Sequence, residues 1–415
     1  MKFATGAAKK RATEFCGGVD VGGTKIASAL FTRAGEISAK DKIAIDKSGG
    51  DAAAGQIIDK IEALAKAARA AGGRLAAVGI SVPGIAFSAS GKVWAPNIPG
   101  WDQYPLLEKI RFFSRLRGSP LFGLAKDIAL SPPAPPGTSP PVPTPRKRRA
   151  PSATGVFRAT SIAASRRTSP ILGEEPKICG HLPQVDVSLV LESDRSAYVA
   201  GESWRGAAAG ARDAVFLAVG TGVGAGIISG GRILHGHEDI AGAVGWFGLN
   251  PAFKPEYASM GCFEAEASGN SVGRIVRERL ERGRASSMPG LAGGRIDAVT
   301  AEIVAEAARR NDPLALEVVA EVVTYLAMGI ANIVSILNPE VVVVGGGLFK
   351  AADVFLEPVR REFKRWAQPL AARKVRIELS SLGEDAGLYG CGKLAWDRLG
   401  SGGERILRSD LQNRG

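Results

Sequence analysis

Apolar residues fall along this chain in two recurring patterns. In FCGGVDVGGTKIASALF (15–31), two apolar runs flank Gly22, Gly23 and Thr24, with Asp20 just before the turn and Lys25 just after it. That reads as strand, glycine turn, strand. Ile57, Ile61, Leu64 and Ala68 recur at helical spacing and predict a helix over 52–71. LAAVGISVPG (75–84) is a continuous apolar run ending at Pro-Gly, the signature of a buried strand, and GKVWAPNIPGWDQYPLLEKI reads as a loop and the start of a helix. VDVSLVLESDRSAYVAGE (185–202) predicts a strand running into a helix. AVFLAVGTGVGAGIISGGRIL (214–234) repeats strand, glycine turn, strand. Helices are predicted over 299–311 and 314–337, the second closed by Asn338-Pro339. EVVVVGGGLF (340–349) reads as a buried strand ending in three glycines, and the stretch from Arg376 as a short strand, a turn and a last helix.

Strands alternate with helices, so the fold class is α/β. The segments 15–31 and 214–228 are alike and lie about 200 residues apart, which suggests a duplicated domain rather than a solenoid. Between them the character changes. From about Gly118 to Pro183 the chain is rich in Pro, Ser and Arg and has no hydrophobic periodicity. Such a segment buries too little apolar area to offset the entropy of ordering, so a low-complexity, disordered insertion is expected.

The net charge of +12 invites a nucleic-acid reading, but between Arg111 and Asp186 there are 12 Lys and Arg against 4 Asp and Glu. Most of the excess therefore sits in one segment. That segment lacks interleaved aromatics or any recognisable module, so nucleic acid is not the expected partner. Cys16, Cys179, Cys262 and Cys391 form no CxxC pair, which argues against a disulfide scaffold. No signal-peptide pattern and no membrane-length apolar run is evident, and a soluble cytoplasmic protein is expected.

DVGGTK and AVGTGVGAGI each admit two readings. Either is a hairpin turn, or its backbone N–H groups donate to phosphate oxygens as anion-binding nests do. Gly345, Gly346 and Gly347 would let a backbone approach an adenosine. Three glycine turns, each following an apolar strand, favour the nucleotide reading. Asp20 is then a candidate for Mg²⁺, held through water.

Together GVDVGGTKIASALF, GISVPGIAF…GKVWAPNIPGW, ESDRSAYVAGE, AVGTGVGAGIISGGRILHG, GCFEAEASG and NPEVVVVGGGLF resemble the ROK family of sugar kinases and sugar-responsive repressors, within the actin-like ATPase superfamily. The resemblance implies a two-lobed actin-like (ribonuclease H-like) fold with a central cleft. It places a first lobe at 15–205, interrupted by 118–183 and completed by a C-terminal helix at 386–400. A second lobe follows at 206–385, with flexible tails at 1–14 and 401–415. It implies ATP and Mg²⁺ as cofactors, with Asp20, Gly22, Gly23, Thr24, Lys25, Gly220, Thr221, Gly222, Gly224 and Gly345–Gly347 around the nucleotide. Asp194 falls on the family's catalytic carboxylate; the alternative is a helix N-cap. Gly84, Asn97, Ser193, Asp194, Trp246 and Glu264 fall on the sugar side. A hexose or hexose derivative is the implied substrate, and a homodimer is compatible with the family.

The departures are specific. The family's Asn before the catalytic Asp is Ser193. Its sugar-binding Glu and His are replaced by Ala243 and Trp246, so Trp246 is either a stacking face for a sugar or a core or interface aromatic. Of the family's zinc ligands only Cys262 remains, and no zinc is expected. His235 and His237 read as surface histidines. Besides a kinase, two readings stay open: a sugar-binding regulator, disfavoured by the short stretch before the first strand, and an inactive homologue. The segment 118–183 is either a genuine insertion or coding sequence read out of frame. In both cases loop-closure cost grows slowly with length. Replacing 118–183 by a short turn should leave the melting temperature equal or higher, and limited proteolysis should cut first between Arg146 and Arg167. Unfolding on its removal would show that the segment packs as part of the fold.

Overall fold

The computed structural model of the protein describes residues 13–117 and 187–412. The expectations for 118–183 and for the first twelve residues lie outside them. Two five-stranded sheets carry the architecture. The first holds β1 (Thr13–Val21), β2 (Lys25–Phe31), β3 (Ile37–Ala44), β4 (Gly73–Val82) and β7 (Ser188–Ser193), in the order β3-β2-β1-β4-β7. A ribbon of β5 (Ile85–Phe87) and β6 (Lys92–Trp94) stands apart. The second sheet holds β8 (Ala214–Val219), β9 (Val223–Ser229), β10 (Arg232–Ile233), β11 (Val341–Gly345) and β12 (Arg376–Leu379), in the order β10-β9-β8-β11-β12. Each sheet is an antiparallel meander continued by two parallel strands. The order is the same in both. β7 pairs β4 in register from Ala77↔Ser188 to Val82↔Ser193, so the chain after the interrupting segment re-enters the first sheet beside β4.

The helices are α1 (Gly50–Ala70), α2 (Leu106–Leu116), α3 (Asp194–Arg205), α4 (Tyr257–Met260), α5 (Cys262–Ala267), α6 (Gly269–Glu281), α7 (Met288–Leu291), α8 (Ala301–Arg309), α9 (Pro313–Leu337), α10 (Ala352–Trp366), α11 (Pro369–Ala372) and α12 (Ala386–Gln412). On α1 the spacing read from the sequence is the buried face: Ile57, Ile61, Leu64 and Ala68 are all inside, packed on β1, β2 and β4. α9 is the one described helix long and apolar enough by length and composition to cross a membrane, though Glu317 and Glu321 interrupt its apolar run. Its apolar side is instead the core of the second half, against α5, α8 and α10. α12 continues to Gln412 where a tail was expected from residue 401.

α3 starts at the end of β7 in the first sheet and packs on β8 and β9 of the second. α12 packs on β1, β4 and β7, and the two helices cross in intimate contact. A Cβ on Gly390 would stand 1.8 Å from the Ala197 carbonyl oxygen, and one on Gly201 2.2 Å from that of Ala386. Only glycine lets the two backbones come this close. Beside the crossing, the fully buried Glu202 accepts from Leu382 N at 3.1 Å, Ala207 N at 2.7 Å and the Ser380 hydroxyl. That ties the strand-to-helix connection before α12 to α3. Gly390→Ala should therefore destabilise the protein by about 3 kcal/mol, the upper range for forcing atoms into a packed contact. Denaturant unfolding of the variant is the check; a loss below about 0.5 kcal/mol would mean that the helices part at no cost.

Candidate functional site at the two glycine turns

Parallel pairing of β1 with β4 sets Asp20 opposite Ser81, whose hydroxyl donates to Asp20 Oδ1 at 2.5 Å. Gly387, at the start of α12, leaves room for the same carboxylate: a Cβ there would stand 2.6 Å from it. Burial pushes the Asp20 pKa up, against the Ser81 hydrogen bond and the Lys25 charge. Asp194 is the first residue of α3. The cap itself is Ser193, whose hydroxyl accepts from Ser196 N at 3.3 Å. The N-cap position is thus Ser193 rather than Asp194, while Asp194 Oδ1 accepts from Arg195 N at 2.8 Å in the first turn of α3. Burial pushes Asp194 up to about 6, helped by the nearby Asp20 charge and opposed by Arg195 and Tyr198. Both carboxylates, from the ends of two strands, are desolvated, and the Asp20 charge is felt at Asp194.

The first glycine turn is closed by Gly22 N donating to Lys25 O at 2.8 Å, so the Gly22 N–H is not available to a phosphate. Gly23 and Thr24 are exposed. A Cβ on Gly23 would meet only Asn97, at 3.4 Å, which puts the Asn97 loop beside this turn. That loop is anchored by Gly50 N to Pro99 O at 2.9 Å, by Trp101 Nε1 to Gly50 O at 3.2 Å, and by Trp101 stacked on Tyr104. Lys25 is committed elsewhere: its ammonium donates to Glu384 at 2.8 Å. Lys350 of the second half reaches the same carboxylate at 3.1 Å, and the pair holds Glu384 down to about 2.

In the second half, Gly220 N donates to Gly222 O at 2.9 Å, closing the β8–β9 turn and leaving Thr221 exposed at its tip. The turn after β11 lies against it: a Cβ on Gly347 would meet only Gly220 Cα, at 3.9 Å. The faces of Gly23, Gly220 and Gly347 are therefore open, as a phosphate cradle requires. Gly345, by contrast, is buried in β11 against the Phe216 ring, and Gly346 against Val219 O. Gly222 makes room for the Glu264 carboxylate and Gly224 for the Arg195 side chain. For these four, contact with the protein itself explains the glycine. A cavity of about 160 Å³ adjoins Gly347, lined among others by Glu302, Arg309 and Lys350.

On the expected sugar side, Glu264 Oε2 accepts from Val223 N at 2.8 Å and its pKa is raised by burial. Trp246 is 58% exposed and is no core aromatic. Gly84, at φ +96°, is needed because a Cβ would run into Trp94 O at 2.2 Å. His237 is exposed as expected, but His235 is not a surface residue. Its Nε2 lies 2.8 Å from the buried Glu192, one residue before Ser193, and the hydrogen bond raises its pKa. Asp239 of the same loop accepts from Ser88 N at 2.8 Å and Ser88 Oγ at 3.0 Å, joining the second half to the β5–β6 ribbon. In the segment before and into α5, Glu266 collects Lys254 at 2.6 Å, the Tyr257 hydroxyl and Asn250 at 3.5 Å. Among the described residues no group of three His, Cys, Asp or Glu could hold a metal ion. Sequence reading missed Ser81, Glu192, Glu384 and the His235 contact, which meet the site only through strand register or distant packing, and Arg195, whose place along β9 depends on how α3 packs.

Two sheets of one order, a bridging pair of helices and glycine turns on both sides of a cleft define an actin-like ATPase fold. In solved structures it matches a ROK family glucokinase from Streptomyces griseus in complex with glucose and AMPPNP. The TM-score is 0.62 at 24% identity, over 92% of this chain and 99% of that one. The ROK family model matches residues 16–115 and 182–398, stopping and restarting at the interrupting segment. The chain belongs to the ROK family. It is 29% identical over 381 residues to a glucokinase of Halalkalibacterium halodurans, covering 91% of this chain and 93% of the relative. It is also 27% identical over 205 residues to the DNA-binding transcriptional repressor Mlc of Escherichia coli, covering 49% of each.

The raised Asp194 pKa has a consequence for stability. The unfolded carboxyl titrates near 4 and the folded one at about 6. The folded state therefore binds the proton more tightly, and stability is lost as pH rises through this window, by about 3 kcal/mol once both states are ionised. Asp194→Asn should match the parent protein below pH 4 and exceed it in denaturant stability above pH 7. Equal stability at both pH values would mean that Asp194 is not held in a desolvated site.

Proposed function

We propose that the protein is an ATP-dependent kinase that phosphorylates a hydroxyl of a hexose or hexose derivative. The observation that carries this reading is Asp194: a desolvated carboxylate at the start of α3, poised at about 6, within reach of the Asp20 charge and followed by Arg195, which packs on β9. A base of that pKa accepts a hydroxyl proton near neutral pH. The glucokinase likeness along most of the chain agrees with it.

In this mechanism the open faces of Gly23, Gly220 and Gly347, with the Thr24 and Thr221 tips, hold the triphosphate. Asp20, kept in place by Ser81, holds Mg²⁺ through water; the ion supplies charge neutralisation at the phosphates. Asn97 and Glu264 orient the sugar, and Trp246 offers an exposed ring to a sugar C–H face. Asp194 takes the proton as the hydroxyl attacks, a contribution of ~10²–10⁴ in rate. A second reading, a non-catalytic sugar-binding homologue or regulator, is favoured by one observation: Ala243 and Trp246 stand where the family has a charged Glu and a His.

A coupled ADP-release screen over glucose, fructose, mannose, N-acetylglucosamine and N-acetylmannosamine separates the two. The kinase reading expects turnover with at least one sugar, with kcat/KM falling on the acid side near pH 6. Asp194→Asn should lose at least ~10²-fold in kcat with nucleotide affinity nearly unchanged. Nucleotide binding without ADP release from any of the sugars would favour the regulator.

A further inference from the structure

Arg195, directly after Asp194, has no role in the mechanism above. Its side chain is laid along Gly224 of β9: Cδ lies 2.6 Å, and Nε 3.7 Å, from where a Cβ on Gly224 would stand. Its carbonyl abuts Gly226 in the same way, at 1.9 Å, so the chain on both sides of the stem is fixed against the second sheet. Its backbone N–H donates to Asp194 Oδ1 at 2.8 Å. Its guanidinium, however, makes no hydrogen bond or ion pair with any described residue. Other cations near the turns are paired: Lys25 and Lys350 bind Glu384, and Arg309 binds Asp353.

A partly buried guanidinium whose five donors meet no acceptor among the described residues is unfavourable unless an anion completes it. This one lies in a site that already contains the carboxylates of Asp20 and Asp194. Neither pairs with it, though its charge opposes the upward shift of Asp194. The open turn beside it is where the triphosphate is placed in the proposed function, on which this inference rests. We propose that Arg195 is a catalytic cation of phosphoryl transfer, binding the terminal phosphate of the nucleotide at the β8–β9 turn.

In the step it serves, the sugar oxygen forms a bond to the γ-phosphorus. The bond from that phosphorus to the β–γ bridging oxygen breaks, and its electron pair leaves on ADP. The hydroxyl proton goes to Asp194. Negative charge spreads over the γ-phosphoryl oxygens, and a planar guanidinium offers them two parallel N–H bonds where a lysine offers a point charge. A single arginine in such a position is worth ~10³ or more in rate in other phosphotransferases.

The test uses calorimetric binding of AMPPNP, ADP and AMP, with Mg²⁺ and without sugar, to the full chain. Arg195→Met keeps the stem on Gly224 and removes the charge; Arg195→Lys keeps the charge and removes the fork. The Met variant should bind AMPPNP about tenfold more weakly or worse, ADP less affected and AMP unchanged, with the Lys variant in between. In the sugar assay its kcat should fall ~10²-fold while KM for the sugar is retained. Equal losses for all three nucleotides, or no loss for AMPPNP, would overturn the proposal, because the stem would then matter only as packing. If the Met variant does not fold, the Lys variant decides: a severalfold loss for AMPPNP alone supports the role, and a uniform loss or none sinks it. Failure of the parent protein to bind any of the three would instead defeat the kinase reading, and this inference with it.

Discussion

The structure depends on the crossing of α3 and α12. Each helix belongs to one sheet by chain connection and to the other, or to the cleft, by packing. Gly201 and Gly390 remove the only atoms that would hold the backbones apart. The same crossing presents the carboxylates. α3 begins with Asp194, and the start of α12 leaves at Gly387 the space that Asp20 fills. A packed helix pair is stiff on the scale of a side chain, so the two acids are held in a defined relation without any contact between them.

Around that crossing, polar groups do the aligning. Glu202 is wholly buried and satisfied by backbone N–H groups and a serine hydroxyl, which makes it costly to move. Glu384 gathers Lys25 from the first half and Lys350 from the second. These pairs are exposed and individually worth little, but they take two lysines out of the phosphate site. On the opposite side, Asp239 joins the second half to Ser88, and His235 covers Glu192. The loop before α5 is tied by Lys254, Tyr257 and Asn250 on Glu266. A buried carboxylate with several donors holds a loop firmly.

Much of the fold could be read directly. The period of the apolar residues gave the helix at 50–70 and the strands around both glycine turns nearly to the residue, because burial on one face leaves a repeat in the sequence. Short elements with mixed burial were not legible: β3 is largely exposed, and the ribbon of β5 and β6 has three residues a strand. The glycine turns were recognised, yet which glycines face open space was not. Gly345 and Gly222 look like Gly347 and Gly220 in sequence and differ only in what packs on them.

What the sequence determined by itself was local: strand, turn and helix, the position of Asp194 at a strand end, and the family to which the motifs point. Those follow from hydrophobic period and from residue types at fixed short spacing. What only the tertiary structure decided was who meets whom. Ser81 opposite Asp20, Glu192 against His235, Lys25 on Glu384 and Arg195 along Gly224 join residues from 29 to 359 positions apart. No short-range pattern encodes such pairs. They are fixed by strand register and by the approach of two helices, and both are set by packing the whole chain at once.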